Sequence, residues 1–288
     1  MKIKKLVLNG YRSYAHAEIR PGDGLNLLYG ANAAGKTNVL EAVFLCAMGR
    51  SHRTSRDAEL IGYGLGGAYV SLELETKTGN RYIELKLRSN EEQRPRERKQ
   101  IFIDRQRVDK AGALMGVLNV VMFSPEDLAL VKSAPAERRR FMDMELCQLD
   151  AAYLYDLNNY NKVVEQRNRF LKDISSNPQN GSSYGDMLDV FDEQLLGYGR
   201  RIIERRQSFM EALGDDIGGI HESLTGKKET LLISYEPNTS PEDFEEKLKK
   251  NRRQDIYQKM SCRKVRSVFN RNWGRSLDIR PSPCSGSY

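Results

Sequence analysis

Residues 24–37 read Gly-Leu-Asn-Leu-Leu-Tyr-Gly-Ala-Asn-Ala-Ala-Gly-Lys-Thr, and the last eight complete the pattern G-x-x-x-x-G-K-[ST]. The apolar run Leu25–Tyr29 before it has the character of a short buried strand. After it, Val39, Leu40, Val43, Phe44 and Met48 recur at helical spacing. Strand, loop and helix together turn the string into a phosphate cradle. Gly30 and Gly35 permit backbone angles and a close approach that a Cβ would block. The loop amides and the helix N-terminus point at an anion. Across Gly30, Ala31, Asn32, Ala33, Ala34, Gly35, Lys36 and Thr37 the expected ligand is ATP. Lys36 supplies charge to the β/γ phosphates, and Thr37 offers its hydroxyl to Mg2+. An ordinary strand-to-helix turn needs neither the lysine nor the threonine.

Working outward, residues before about 125 read as β-rich. Ile3–Leu8 and Ala17–Ile19 flank the loop Tyr11-Arg12-Ser13-Tyr14. Tyr69–Glu75 and Tyr82–Leu87 alternate about Thr78-Gly79-Asn80, a hairpin signal. Ile101–Asp104 extends the meander, and the compact run Val120–Phe123 reads as a second fully buried strand. From Pro135 the pattern becomes helical. Phe141 to Leu171 marks one long amphipathic helix, and Asp186 to Leu213 a second. Ser175–Gly185 breaks them with Pro, Gly and Asn, so the pair reads as an antiparallel arm. Thr230–Tyr235 reads as a strand, and Pro241–Lys259 as a charged helix with Ser240 at its N-cap.

The 288 residues allow a sizeable core, and no run is long and apolar enough to span a bilayer. The first residues lack the apolar stretch of a signal peptide. The four cysteines, Cys46, Cys147, Cys262 and Cys284, show no metal or disulfide spacing, and a cytoplasmic protein is expected. The net charge is +7, but residues 261–288 hold six basic residues and one Asp, leaving 40 basic against 38 acidic. Global basicity is therefore weak evidence for a nucleic-acid partner. Gln93–Lys99 and Arg138–Arg140 are local basic candidates, read more readily as solvated faces.

The opening Leu8-Asn9-Gly10-Tyr11-Arg12-Ser13-Tyr14 and the phosphate loop running into Thr37-Asn38-Val39-Leu40-Glu41-Ala42 resemble the RecF family of bacterial DNA replication and repair proteins. So do Gly49–Thr54, Phe123–Leu128 and, most specifically, Pro135–Asp143. That family stands in the SMC/Rad50-like group of ABC-type ATPases. The resemblance implies an α/β fold: a P-loop ABC-type ATPase head with an antiparallel β region, plus a helical arm (lobe two). It implies a head over 1–134, an arm over 135–229, a return strand and helix over 230–260, and a non-matching tail over 261–288. It further implies ATP and Mg2+ as cofactors, ATP-dependent homodimerisation on DNA, partnership with RecR and RecO, and loading of RecA on gapped single-stranded DNA. Replication restart and SOS induction follow from that role. By the same matching Arg12 and Ser13 touch phosphate or form only a polar turn, and Arg53 and Glu126 are weaker candidates.

Two elements of the group are not seen after Tyr235: an apolar strand ending in paired carboxylates, and a Ser-x-Gly signature. Asp104 and Asp278 are poor substitutes. The expectation is a head whose C-terminal part is missing through truncation or a frameshift near residue 260. Ser133 also stands where the family has Gly. Two further readings stay open. One is a nucleotide-binding module that does not hydrolyse ATP; the other is a small-molecule phosphoryl-transfer enzyme, disfavoured by the arm.

Overall fold

The computed structural model describes residues 1–89, 98–124, 135–176, 184–228, 231–233, 235–237, 239–257 and 280–281. They fall into two compact units, Met1–Phe123 and Ser124–Tyr288.

The first unit is built on a six-stranded antiparallel sheet in the order β2-β1-β3-β4-β5-β6. Its strands are β1 (Lys2–Tyr11), β2 (Tyr14–Ile19), β3 (Gly67–Thr76), β4 (Gly79–Arg88), β5 (Lys99–Ile103) and β6 (Gln106–Val108). Alternation decides which face is inside. Leu6 and Leu8, Val70, Leu72 and Leu74, Ile83, Leu85 and Leu87, and Ile101 are all buried. Each such side chain contributes about 1.5–3 kcal/mol on leaving water. Helix α1 (Lys36–Met48) lies against β3 and β4 and buries Val39, Ala42, Phe44, Leu45 and Met48. Of the expected helical stripe, Leu40 alone points out.

The β3–β4 hairpin forms where alternation placed it, with Thr76 opposite Gly79. The meander continues one strand further than expected, into β6, through a turn at Asp104 and Arg105. Two expected strands do not form. Residues 25–29 and 120–123 carry no strand pairing, and Leu25 (96% exposed), Tyr29 (88%) and Val121 (83%) face solvent. An apolar run becomes a buried strand only when neighbours hydrogen-bond to its edges and cover its faces. Among the described residues neither run joins a sheet.

The second unit is helical. The one long helix expected from Phe141 to Leu171 is two, α2 (Pro135–Leu149) and α3 (Ala151–Ser176). Asp150 separates them: its carboxylate accepts the Ala152 N–H at 2.8 Å, an N-cap that starts the next helix. Helix α4 (Tyr184–Thr225) runs past the expected end at Leu213. It is antiparallel to α3, since partner numbers fall on α4 as they rise on α3. Asp156 meets Arg201, Arg167 meets Asp192, and Phe170 meets Phe191. Helix α5 (Phe244–Tyr257) starts three residues later than expected, after a turn in which Ser240 Oγ accepts the Asp243 N–H at 3.0 Å. It seats Phe244 in a notch on α4 at Gly199, where a Cβ would lie 2.3 Å from the ring. Strand β7 (Leu231–Leu232) pairs with β8 (Arg280–Pro281), so a short strand lies inside the stretch expected to be a non-matching tail. The expected break at 177–183, residues 93–97 of the basic segment, and Glu126, Ser133 and Asp278 lie outside the described residues.

Candidate functional site

The phosphate loop closes on itself. Lys36 Nζ donates to the carbonyls of Gly30 at 2.8 Å and Ala31 at 2.7 Å, while the Ala34 N–H reaches Ala31 O. Gly30 (φ 145) and Gly35 (φ 93) take angles open to glycine, and Ala33 (φ 64) adopts the left-handed region that an L-residue enters at a cost. The amides of Asn38 and Val39 both turn back to Gly35 O. Among the described residues the first turn of α1 has neither a side-chain cap nor an acid. The helix thus presents an unneutralised positive end beside Lys36 and the exposed Thr37 hydroxyl, which is the electrostatics an anion needs.

Gly35 is wedged. A Cβ there would lie 2.9 Å from Ser13 Oγ and from the Tyr14 ring, so the β1–β2 turn forms a wall against the loop's last glycine. Ser13 Oγ accepts from Asn38 Nδ2 at 3.0 Å. Arg53 Nη1 donates to Asn38 Oδ1 at 3.2 Å. Of the residues singled out from sequence, Gly30–Thr37, Ser13 and Arg53 therefore come together at one end of α1.

Arg12 is placed otherwise. Its Nε and Nη2 grip Glu41 at 2.9 and 2.7 Å, and Nη1 donates to Glu59 O at 2.8 Å. A guanidinium so engaged belongs to the turn, the second of its two expected roles. Asp104 lies in the β5–β6 turn, paired with Arg81 and accepting the Tyr82 N–H, which suits a turn carboxylate rather than a base.

Glu41 received no role from sequence. Its one legible signal was a carboxylate sharing a helical face with Phe44, Leu45 and Met48. It is fully buried and also accepts from Ser51 Oγ at 2.5 Å. Burial alone would raise its pKa, but hydrogen bonds from Arg12 and Ser51 and the charges of Arg12 and Arg53 outweigh it and hold the carboxyl below its usual range. Burial, helped by Glu41, pushes the neighbouring Tyr11 phenol upward.

A depressed folded pKa contributes stability above the unfolded value of about 4.3, and loses it as pH falls through the folded value. The unfolding free-energy gap between wild type and Glu41→Gln is therefore expected to shrink as pH drops below about 4. A gap that denaturant titrations find unchanged from about pH 7 to about pH 3 would refute this.

Among the described residues no group of three or more His, Cys, Asp or Glu could hold a metal ion, and no helix is long and apolar enough to cross a membrane. Cys46 and Cys147 are buried in α1 and α2, and neither is in a disulfide.

The AAA domain family matches residues 5–267. The chain is 42% identical over 256 residues to the DNA replication and repair protein RecF of Agathobacter rectalis, covering 89% of this chain and 68% of that protein. It is 40% identical over 262 residues to RecF of Lachnospira eligens, covering 91% and 70%. The fold is similar to the solved recombination mediator protein RecF-ATPrS of the RecFOR pathway (TM-score 0.78, 28% identity, 98% of this chain and 73% of that one). The RecF-ATP structure gives a TM-score of 0.77 at 30% identity, covering 89% and 69%.

Proposed function

We propose, from the premise that the chain belongs to the RecF family of DNA replication and repair proteins, that its phosphate loop binds ATP in the service of DNA repair. Gly30–Gly35 wrap the triphosphate and Lys36 exchanges its two carbonyl partners for β/γ oxygens. The Thr37 hydroxyl ligates Mg2+, which when bound neutralises phosphate charge. The observation that carries this reading is Lys36 folded across its own loop beside an uncapped helix N-terminus, in a chain about 40% identical to RecF proteins. The role that follows is ATP-dependent DNA binding with homodimerisation, partnership with RecR and RecO, and placement of RecA on gapped DNA in the cytoplasm. Replication restart and SOS induction depend on that step. With no base-reading motif visible, contact should run through DNA phosphates and weaken steeply with salt.

A second reading, binding without turnover, is favoured by the state of two carboxylates in the first unit. Glu41 spends both oxygens on Arg12 and Ser51, and Asp104 is engaged by Arg81 and the Tyr82 amide. Neither is free to serve as a general base. Calorimetry with Mg-ATP tests the shared premise. Lys36→Ala should weaken binding by about thirtyfold or more, the worth of a charge-assisted contact of about 2 kcal/mol. Equal affinity in both proteins would overturn it. Steady-state hydrolysis with duplex DNA then separates the readings: turnover lost in Lys36→Ala supports the enzyme, and binding without turnover supports the module.

A further inference from the structure

Glu41 is a negative charge sealed from water one turn inside α1. A buried carboxylate is costly unless charges and hydrogen bonds answer it, so its partners identify what it holds in place. They divide into two arms. One runs through Arg12, whose φ of 52 lies in the left-handed region and is sustained only if its surroundings over-determine it. The Glu41 grip, the bond from Arg12 Nη1 to Glu59 O and the bond from Arg12 N–H to Leu60 O do so. Fixed in this way, the turn aims Ser13 Oγ at Asn38 and sets Ser13 and Tyr14 against Gly35.

The other arm runs through Ser51. While its hydroxyl donates to Glu41, the same oxygen accepts the Arg53 N–H at 2.9 Å and the Thr54 N–H at 3.2 Å. That places Arg53 Nη1 3.8 Å from Glu41 and 3.2 Å from Asn38 Oδ1. Asn38, directly after Thr37, is thus held at both ends of its amide, and both holds lead back to the same carboxylate.

We propose that Glu41 is a positioning residue for the phosphate loop: through Arg12–Ser13 and through Ser51–Arg53 it fixes Asn38 and Gly35, and so the geometry in which Lys36 and Thr37 meet a triphosphate. It touches no ligand itself, and the role rests on the nucleotide-binding reading above. A pair that served stability alone could be exchanged for apolar side chains of similar volume with little loss. A positioning residue cannot, because neither arm survives the exchange.

Two measurements on the full chain test this: amide exchange without nucleotide, and Mg-ATP calorimetry. Glu41→Gln should speed exchange tenfold or more at residues 12–14 and 35–38 while leaving the β3–β4 hairpin unchanged, and should weaken Mg-ATP about tenfold. Added to Asn38→Ala, it should cost clearly less than the tenfold it costs alone, since the Asn38 link is already gone and only the Ser13–Tyr14 wall at Gly35 is left to loosen. Should Glu41→Gln fail to fold, Arg12→Met with Glu41→Met leaves no orphaned charge; it should fold and still bind Mg-ATP weakly. Exchange that rises evenly over the first unit, losses that multiply in the double variant, or wild-type affinity in the Met pair would overturn the inference. If wild type itself does not bind Mg-ATP, the functional reading fails, and exchange at residues 35–38 alone decides whether Glu41 positions the loop.

Discussion

Gly35→Ala is expected to weaken Mg-ATP binding by about a hundredfold or more while leaving the antiparallel sheet intact. Two independent costs meet at this residue. Its φ of 93 and ψ of 3 lie where an L-residue pays about 1–3 kcal/mol. Its new Cβ would also come within 2.9 Å of Ser13 Oγ and two carbons of the Tyr14 ring. The turn cannot simply yield, because Arg12 is tied to Glu41, Glu59 and Leu60. Overpacking of this kind costs about 1–3 kcal/mol more. The strain falls on the residue that starts α1 and aims Lys36, so relief moves the amides the phosphates require. Gly64→Ala is the control: at φ 74 nothing lies within 4 Å of the added Cβ, so that variant bears backbone strain alone and keeps its affinity. Calorimetry and thermal unfolding on both variants decide it. A Gly35→Ala protein binding within about threefold of wild type would show that the wall is soft.

Arg167→Ala is expected to cost the helical unit about 3–5 kcal/mol, the range for stranding buried charge. The Arg167 side chain is 2% exposed and donates to Asp192 at 2.9 Å and Asp255 at 2.8 Å. Those partners sit on α4 and α5, so one guanidinium fastens three helices. Truncation takes the guanidinium from Asp255, whose side chain is almost without water, and one contact from Asp192. By contrast Arg205, with its side chain 59% exposed opposite Asp150, should lose less than about 1 kcal/mol on change to alanine. Denaturant unfolding measures both, and amide exchange should show α5 released first in Arg167→Ala. A loss below about 1 kcal/mol would mean that water reaches the stranded acids.

The parts of this protein legible in its sequence are those whose cause is local. Gly30, Gly35, Lys36 and Thr37 declare a phosphate loop because backbone angle and side-chain charge are properties of the residues themselves. The β3–β4 hairpin was readable from alternation on either side of Thr78-Gly79-Asn80, although the turn falls at Lys77-Thr78 and Gly79 and Asn80 begin β4. Asp150 was missed although its signal is also local: a capping side chain inside an otherwise continuous apolar period.

Other features needed partners distant in the chain. Leu25–Tyr29 and Val120–Phe123 have the composition of buried strands, yet composition gives only the tendency to be covered, and covering is done by other segments. Arg12 read equally well as a phosphate contact or a turn residue until Glu41, 29 positions later, was seen to hold it. Arg167 and Asp255, 88 positions apart, gave no hint of each other. The sequence by itself determined the glycine-and-lysine pattern of the loop at residues 30–37 and the change from a β-rich to a helical region, because dihedral preference, charge and periodicity act over a few residues. Only the tertiary structure decided which charges are spent on the fold and which remain for a ligand. That choice depends on distances and burial between residues that the chain keeps far apart.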